Sequence, residues 1–265
     1  VKIFISLFLF FFFSLNARSQ CCCGTAGSGS LSASPGEAPS LFPGARQWIA
    51  EMQGEYRSYR LPVLSTDNHS STALLRELSA FTAGIRYGFT EKIAASLHQP
   101  YLLLSTNQGA HRGHGDLLLL GHYRAIEKGS LRLVFSGGCK FPTGEKAGGQ
   151  TPFVTGTASF DPVAGLLVQI PGEQFSLLGS AYWRHAGESA NAMRFGDAFT
   201  HGIAFIYGKN NLSCTTDSAA RPALSCSAGL SGERLFPQEQ GVGLVENTGS
   251  YTVSANAGCA LRFGK

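Results

Sequence analysis

The chain is short of charge. Asp, Glu, Lys and Arg make up 14% of its 265 residues, against ~25% in soluble globular domains. It has no run of Lys or Arg, and a formal net charge of +4 gives no footprint for a nucleic acid partner. Cysteine is present without order: Cys21, Cys22 and Cys23 are consecutive, and Cys139, Cys214, Cys226 and Cys259 lie far apart. That spacing excludes a disulfide-stapled miniprotein. Motifs of nucleophilic catalysis are missing too. The serines of Gly27-Ser28-Gly29-Ser30 and Gly179-Ser180 lack the strand-turn-helix context of a nucleophile elbow. Gly137-Gly138-Cys139-Lys140 lies inside a strand pattern with no helix after it, which rules out a phosphate-cradling loop. No enzyme and no cofactor is expected.

Beyond the N-terminus the chain also lacks any long apolar run. Lys2 precedes an apolar stretch over 3–13, and Ser14-Leu15-Asn16-Ala17-Arg18-Ser19 follows. This is the layout of a secretory signal: a charged start, a short apolar region and a zone of small residues. The stretch is too short for a membrane-spanning helix, which needs ~20 residues. Three regions follow: a signal peptide over 1–20, a flexible segment rich in Cys, Gly, Ser and Pro over 21–46, and one domain over 47–265.

What fills that domain is alternation of period two. Over 78–89, Phe81, Ala83, Ile85, Tyr87 and Phe89 share one face, with Thr82, Gly84, Arg86 and Gly88 on the other. The same holds over 131–141, 175–185 and 251–263, and more weakly over 48–59, 93–104, 115–126, 162–170, 198–208 and 223–234. One face is apolar with aromatic ends; the other is small or basic. Most segments approach the ~9–11 residues that cross a bilayer at a tilt, about twice a soluble sandwich strand. In water such ribbons need a second layer over their apolar side, whereas lipid itself can cover it. An open edge in hydrocarbon would leave backbone groups unpaired, so the sheet must close. Abundant Gly, 33 residues, fits many strands joined by tight turns. Short polar connections (90–91, 127–129) alternate with long ones (61–77, 105–115, 143–161, 186–196), the layout of an outer-membrane barrel with its long loops outside. The expected fold is an all-β, antiparallel, up-and-down transmembrane barrel with about ten strands in this chain.

Four motifs in order carry a resemblance. They are Gly115-Asp116-Leu117-Leu118-Leu119-Leu120-Gly121-His122-Tyr123-Arg124, then Lys140-Phe141-Pro142-Thr143-Gly144-Glu145, then Gly156-Thr157-Ala158-Ser159-Phe160-Asp161-Pro162, and Phe195-Gly196-Asp197-Ala198-Phe199. Over roughly 47–263 the chain resembles the outer-membrane transporter family called "meta-pathway of phenol degradation". The resemblance implies a barrel with a transport-like role and no catalytic residues. Members usually carry further strands and a terminal aromatic, whereas this chain stops just past Arg262-Phe263. Twelve strands are therefore expected when complete, with a closing hairpin absent here and a ring that need not close without it.

The candidate lumen residues are Arg86, His122, Arg124, Arg132, Lys140, Arg184, Arg234 and Arg262, with Glu51 and Glu55 as partners on the first strand. A basic lumen would draw anionic solutes; the same residues held in ion pairs would simply fill a narrow barrel. Cys21, Cys22 and Cys23 offer soft ligands to a metal, a place for a lipid anchor, or thiols that oxidise in a tail. His111, His114 and Asp116 form a second metal candidate, and Cys214 with Cys226 a candidate bridge in an oxidising compartment. The leading expectation is passage of small, hydrophobic or anionic solutes across a bacterial outer membrane, with lipid and solute as partners. The alternative is a non-conducting metal-binding or structural protein of that membrane using the cysteine triplet.

Overall fold

The computed structural model describes residues 42–62, 73–106, 109–128, 131–144, 156–157, 159–172, 175–188, 193–194, 196–207, 223–237, 239–240, 243–244 and 250–263. Every regular element among them is a strand: β1 (Trp48–Pro62), β2 (Ala73–Gly88), β3 (Ile93–Thr106), β4 (Gly109–His114), β5 (Leu117–Lys128), β6 (Leu131–Phe141), β7 (Asp161–Pro171), β8 (Phe175–Arg184), β9 (Met193–Arg194), β10 (Ala198–Tyr207), β11 (Ala223–Leu235), β12 (Glu239–Gln240), β13 (Gly243–Leu244) and β14 (Ser250–Phe263). Each of the ten alternating segments lies on a long strand. β4 and β5 both pair with β3, Tyr101 facing His114 and His98 facing Leu118, so they are two stretches of one wall strand broken at Gly115 and Asp116. β9, β12 and β13 form a separate small sheet among the connections.

The long strands run in the order β1, β2, β3, β5, β6, β7, β8, β10, β11, β14, each antiparallel to the next. The ring then closes. Residues 48–56 of β1 pair with 255–263 of β14, starting with Trp48 opposite Phe263. No gap remains between these strands: the ten strands of this chain close the ring. Closure satisfies the backbone of the last strand on both sides, as hydrocarbon demands.

The faces are reversed relative to a soluble barrel. Met52, Phe81, Leu119, Phe135, Phe205, Leu230 and Val253 are exposed on the outer wall. Arg86, His122, Lys140, Gln169, Arg184 and Asn256 are buried within. Ring pairs mark both ends of the outer wall. At one end Trp48 meets Tyr87 at 4.4 Å, Tyr87 meets Phe89 at 5.0 Å and Phe175 meets Tyr207 at 5.0 Å. At the other, Phe141 meets Phe160 at 5.3 Å and Trp183 meets Phe236 at 5.2 Å. Along β8, Phe175 and Trp183 are eight residues apart, about 26 Å of strand and about 20 Å of height at the usual tilt. Two aromatic girdles around an apolar band of this size are the mark of a barrel in lipid.

The first girdle belongs to the near end, where β1 starts and where short steps in the sequence join β2 to β3, β5 to β6 and β7 to β8. At the far end β1 ends and β2 starts, β6 ends and β7 starts, β8 ends and β10 starts, and β11 ends and β14 starts. One pair of strands breaks the alternation: the stretch of sequence between β10 and β11 is long, yet the strand ends that flank it, Tyr207 and Ala223, lie at the near end.

Candidate functional site: the barrel lumen

Every second residue of a strand faces inward, and the lumen sorts these residues into distinct groups. At the far mouth an ionic knot gathers the ends of four strands. Lys140, near the end of β6, holds Asp116 at 2.5 Å and Asp161, the first residue of β7, at 2.9 Å. Arg184, the last residue of β8, reaches the same Asp161 oxygen at 3.0 Å. All four side chains are essentially shut off from solvent. Charges so deeply placed persist when their remaining hydrogen-bonding capacity is filled, and for the two carboxylates it is. Asp116 accepts from the backbone N–H of Gly144 at 3.0 Å and of Thr157 at 2.8 Å, and from the Thr157 hydroxyl at 2.8 Å. Lys140 also donates to Thr157 Oγ1. Asp161 accepts from the Ser159 hydroxyl at 2.7 Å and the Gly187 N–H at 2.9 Å. Thus the strand break at Gly115-Asp116 aims one carboxylate at both ends of the β6–β7 loop and cinches them. Glycine is required at that neck: a Cβ on Gly156 would lie 2.6 Å from Asp116 Oδ1 and 2.8 Å from Gly144 Cα.

A second group runs across the wall formed by β1, β2, β3, β5 and β6. Arg86 Nη2 lies 3.3 Å from Glu51 Oε1, and His98 Nδ1 lies 3.4 Å from that oxygen. His98 Nε2 meets Ser96 Oγ at 2.9 Å, Ser96 Oγ meets His122 Nε2 at 2.7 Å, and His122 Nδ1 meets Ser136 Oγ at 2.8 Å. With Glu51 ionised the directions form one consistent series. His98 Nδ1–H points to Glu51, the Ser96 hydroxyl donates to His98, His122 Nε2–H donates to Ser96, and the Ser136 hydroxyl donates to His122. Each ring nitrogen of the series has a polar atom at 3.4 Å or less.

Nearer the other end, Glu127 takes Arg124 at 2.7 Å and Arg132 at 2.9 Å. The Arg124 guanidinium also stands 4.4 Å above the ring of Phe42. Phe42 is buried with Ile49, Leu120, Val134, Leu167, Leu178 and Ile206 in an apolar layer inside the ring. The chain leading from it to β1 is pinned to the β2–β3 turn. Arg46 N–H donates to Gly88 O at 2.7 Å, Gly88 N–H to Gln47 O at 3.0 Å, and Ala45 N–H to Glu91 Oε1 at 3.1 Å.

Arg86, His122, Arg124, Arg132, Lys140 and Arg184 all face inward, but they are divided among these groups and do not converge. Arg262 lies on β14, with its side chain outside the described residues. Arg234 is a correction: it is exposed on the outer wall over the Phe236 ring at 5.1 Å, and its neighbour Glu233 takes the inward place. Glu55 is buried inside, as expected of a residue on the inner face of β1. The His111, His114 and Asp116 metal candidate is not assembled. His114 is exposed against Tyr101, Asp116 belongs to the knot, and the His111 side chain lies outside the described residues. Among the described residues no three His, Cys, Asp or Glu side chains are placed to hold a metal. Cys21, Cys22, Cys23 and Cys214 lie outside the described residues. Cys226 lies beside Cys259, its partner across β11 and β14.

Sequence reading missed the acids. Asp116, Asp161 and Glu127 looked like turn residues, yet each neutralises lumen cations. The signal was available, since three of the four motifs meet in the knot, and Asp197 of the fourth accepts from the Ala186 N–H at 3.0 Å beside it.

A closed ring, apolar outside between two aromatic girdles and ionic inside, defines a membrane-spanning β-barrel. Several solved structures resemble the chain. An outer membrane channel from Pseudomonas putida F1 superimposes with a TM-score of 0.48 at 14% identity, covering 84% of this chain and 97% of the channel. A FadL homologue from Pseudomonas aeruginosa has a TM-score of 0.29 at 8% identity over 85% and 92% of the two chains. The CymD monoaromatic hydrocarbon channel has 0.31 at 7% identity over 88% and 92%. None is near enough in sequence or superposition to transfer a function. No protein-family model and no curated protein matches the chain.

Proposed function

We propose that the protein is a bacterial outer-membrane barrel that passes small solutes and performs no catalysis. One observation carries this reading: polar and charged side chains are turned inward in a closed ring whose outer wall is apolar between two girdles. The near end, with its short turns, is the periplasmic side, and the ionic knot faces outward from the cell. The solute is small and weakly charged. Arg86, Arg124, Arg132, Lys140 and Arg184 each have a carboxylate within ion-pair distance, so the field of a bare basic lumen is largely cancelled. The apolar layer from Ile49 to Ile206 favours an uncharged or amphipathic passenger.

Planar-bilayer recording with the purified protein tests both parts. Discrete conductance steps with a cation-to-anion permeability ratio near one are expected. Strong anion preference would restore the basic lumen, and a silent barrel would remove the passage reading. A second reading, a non-conducting structural barrel, has one observation in its favour: Lys140, Arg184, Gln169 and Leu178 are almost fully occluded. It predicts a silent bilayer with an otherwise stable, correctly inserted protein. If the cysteine triplet serves such a barrel as a metal site, metal bound to the purified protein should vanish when Cys21, Cys22 and Cys23 become Ser.

A further inference from the structure

Cys226 and Cys259 are direct register partners on neighbouring strands β11 and β14. Their Sγ atoms lie 3.3 Å apart, and both side chains are exposed on the outer wall. Two facts independent of the side-chain rotamers add weight. The backbone pairing runs unbroken from Ala223 opposite Arg262 to Leu235 opposite Ser250, so the two Cβ atoms are held face to face. The pair also sits toward the near-end rim: Cys226 is opposite Tyr207, a member of the near girdle, and Cys259 is opposite Met52. A bond there disturbs none of the groups that fill the lumen.

We propose that Cys226 and Cys259 form a cross-strand disulfide that fastens β14, the strand that closes the ring, to β11. The inference rests on the proposed export of the chain, because disulfides persist in oxidising compartments and not in the cytosol. Formation needs a disulfide donor of the thiol oxidoreductase class, met on the way through the periplasm. One cysteine thiolate attacks a sulfur of the donor disulfide, making a mixed disulfide and releasing the first donor thiolate. The second cysteine thiolate attacks the protein sulfur of that mixed disulfide and releases the second donor thiolate. The protein dithiol loses two electrons and two protons, and the donor becomes a dithiol. This pairing competes for Cys226 with the candidate bridge to Cys214, a residue outside the described ones.

The test uses full-length protein exported to the outer membrane and quenched with N-ethylmaleimide before lysis. The expected result is a protein in which neither Cys226 nor Cys259 is alkylated until a reductant is added. A peptide carrying Cys259 should be joined to the one carrying Cys226. Trypsin does not cut between Arg221 and Pro222, so Cys214 and Cys226 travel on one peptide. The assignment therefore uses single variants: Cys214→Ser keeps the joined peptide, whereas Cys226→Ser and Cys259→Ser each lose it. Both thiols alkylated without reductant in exported protein, or a joined peptide that survives Cys226→Ser, would overturn the proposal. Fractionation of the same cells separates this from failure of export, which would leave the chain outside the outer-membrane fraction altogether.

Discussion

The two ends of the lumen are filled differently. Toward the near end an apolar layer of Ile49, Leu120, Val134, Leu167, Leu178 and Ile206 topped by Phe42 lies among the less deeply buried ion pairs of Glu127 with Arg124 and Arg132. At the far mouth the interior is Lys140 and Arg184 against Asp116 and Asp161. Apolar packing is non-directional and tolerates repacking if volume is kept. An ionic knot is directional, and removing one member leaves the others buried and uncompensated. The near half therefore supplies bulk stability, and the far half fixes where the loops go.

The largest expected effect comes from breaking the far side. Lys140→Met leaves two carboxylates without their shared cation, and a loss of about 4 kcal/mol follows from what broken buried pairs cost. Urea unfolding in detergent micelles would measure it, and bilayer recordings should show larger conductance steps as the β6–β7 loop neck is released. If conductance is unchanged while stability falls, the knot is structural and does not close the mouth. Next is Leu178→Ala in the near half, expected to cost about 3 kcal/mol as a buried leucine truncation and to leave far-mouth conductance behaviour as it was. A change in gating from that variant would blur the contrast between the halves.

The outer wall offers a sharper comparison. Phe135, midway along β6 and exposed, should cost about 2–4 kcal/mol on replacement by Arg, and Phe175 in the girdle only about 0–1, following the depth dependence of charge on a lipid face. Refolding into lipid vesicles measures both, and equal costs would mean that the girdles do not mark the membrane boundary. The smallest effect is expected for His185→Ala. Its 3.1 Å contact with Asp197 is half in solvent, and such pairs contribute under about 1 kcal/mol.

All ten wall strands were legible because lipid leaves the outer face unmasked: Phe81, Ile85 and Tyr87 alternate without interruption from any partner layer. The assignment of faces was legible for the same reason, except at Arg234, where the strand is about to end and an arginine can lie over Phe236. That these ten strands close the ring by themselves was not legible. It depends on the tilt and stagger that bring Trp48 opposite Phe263, and neither leaves a mark on a single strand. Nor was the knot. Asp116 and Thr157 are 41 positions apart, and only the pairing of β5, β6 and β7 brings them into one place.

Glycine, too, has a use beyond the turns that its abundance brought to mind. Gly165 lies opposite Tyr182, and a Cβ there would overlap the tyrosine ring. Gly84 gives the same clearance to Glu51 and His98, each 2.8 Å from where its Cβ would stand. A narrow tube can house phenol, imidazole and guanidinium groups only if parts of its lining carry nothing at all. Its bore at any height is thus set by bare patches of wall as much as by strand number, and adding a single methyl group at one of them would push a ring toward the axis.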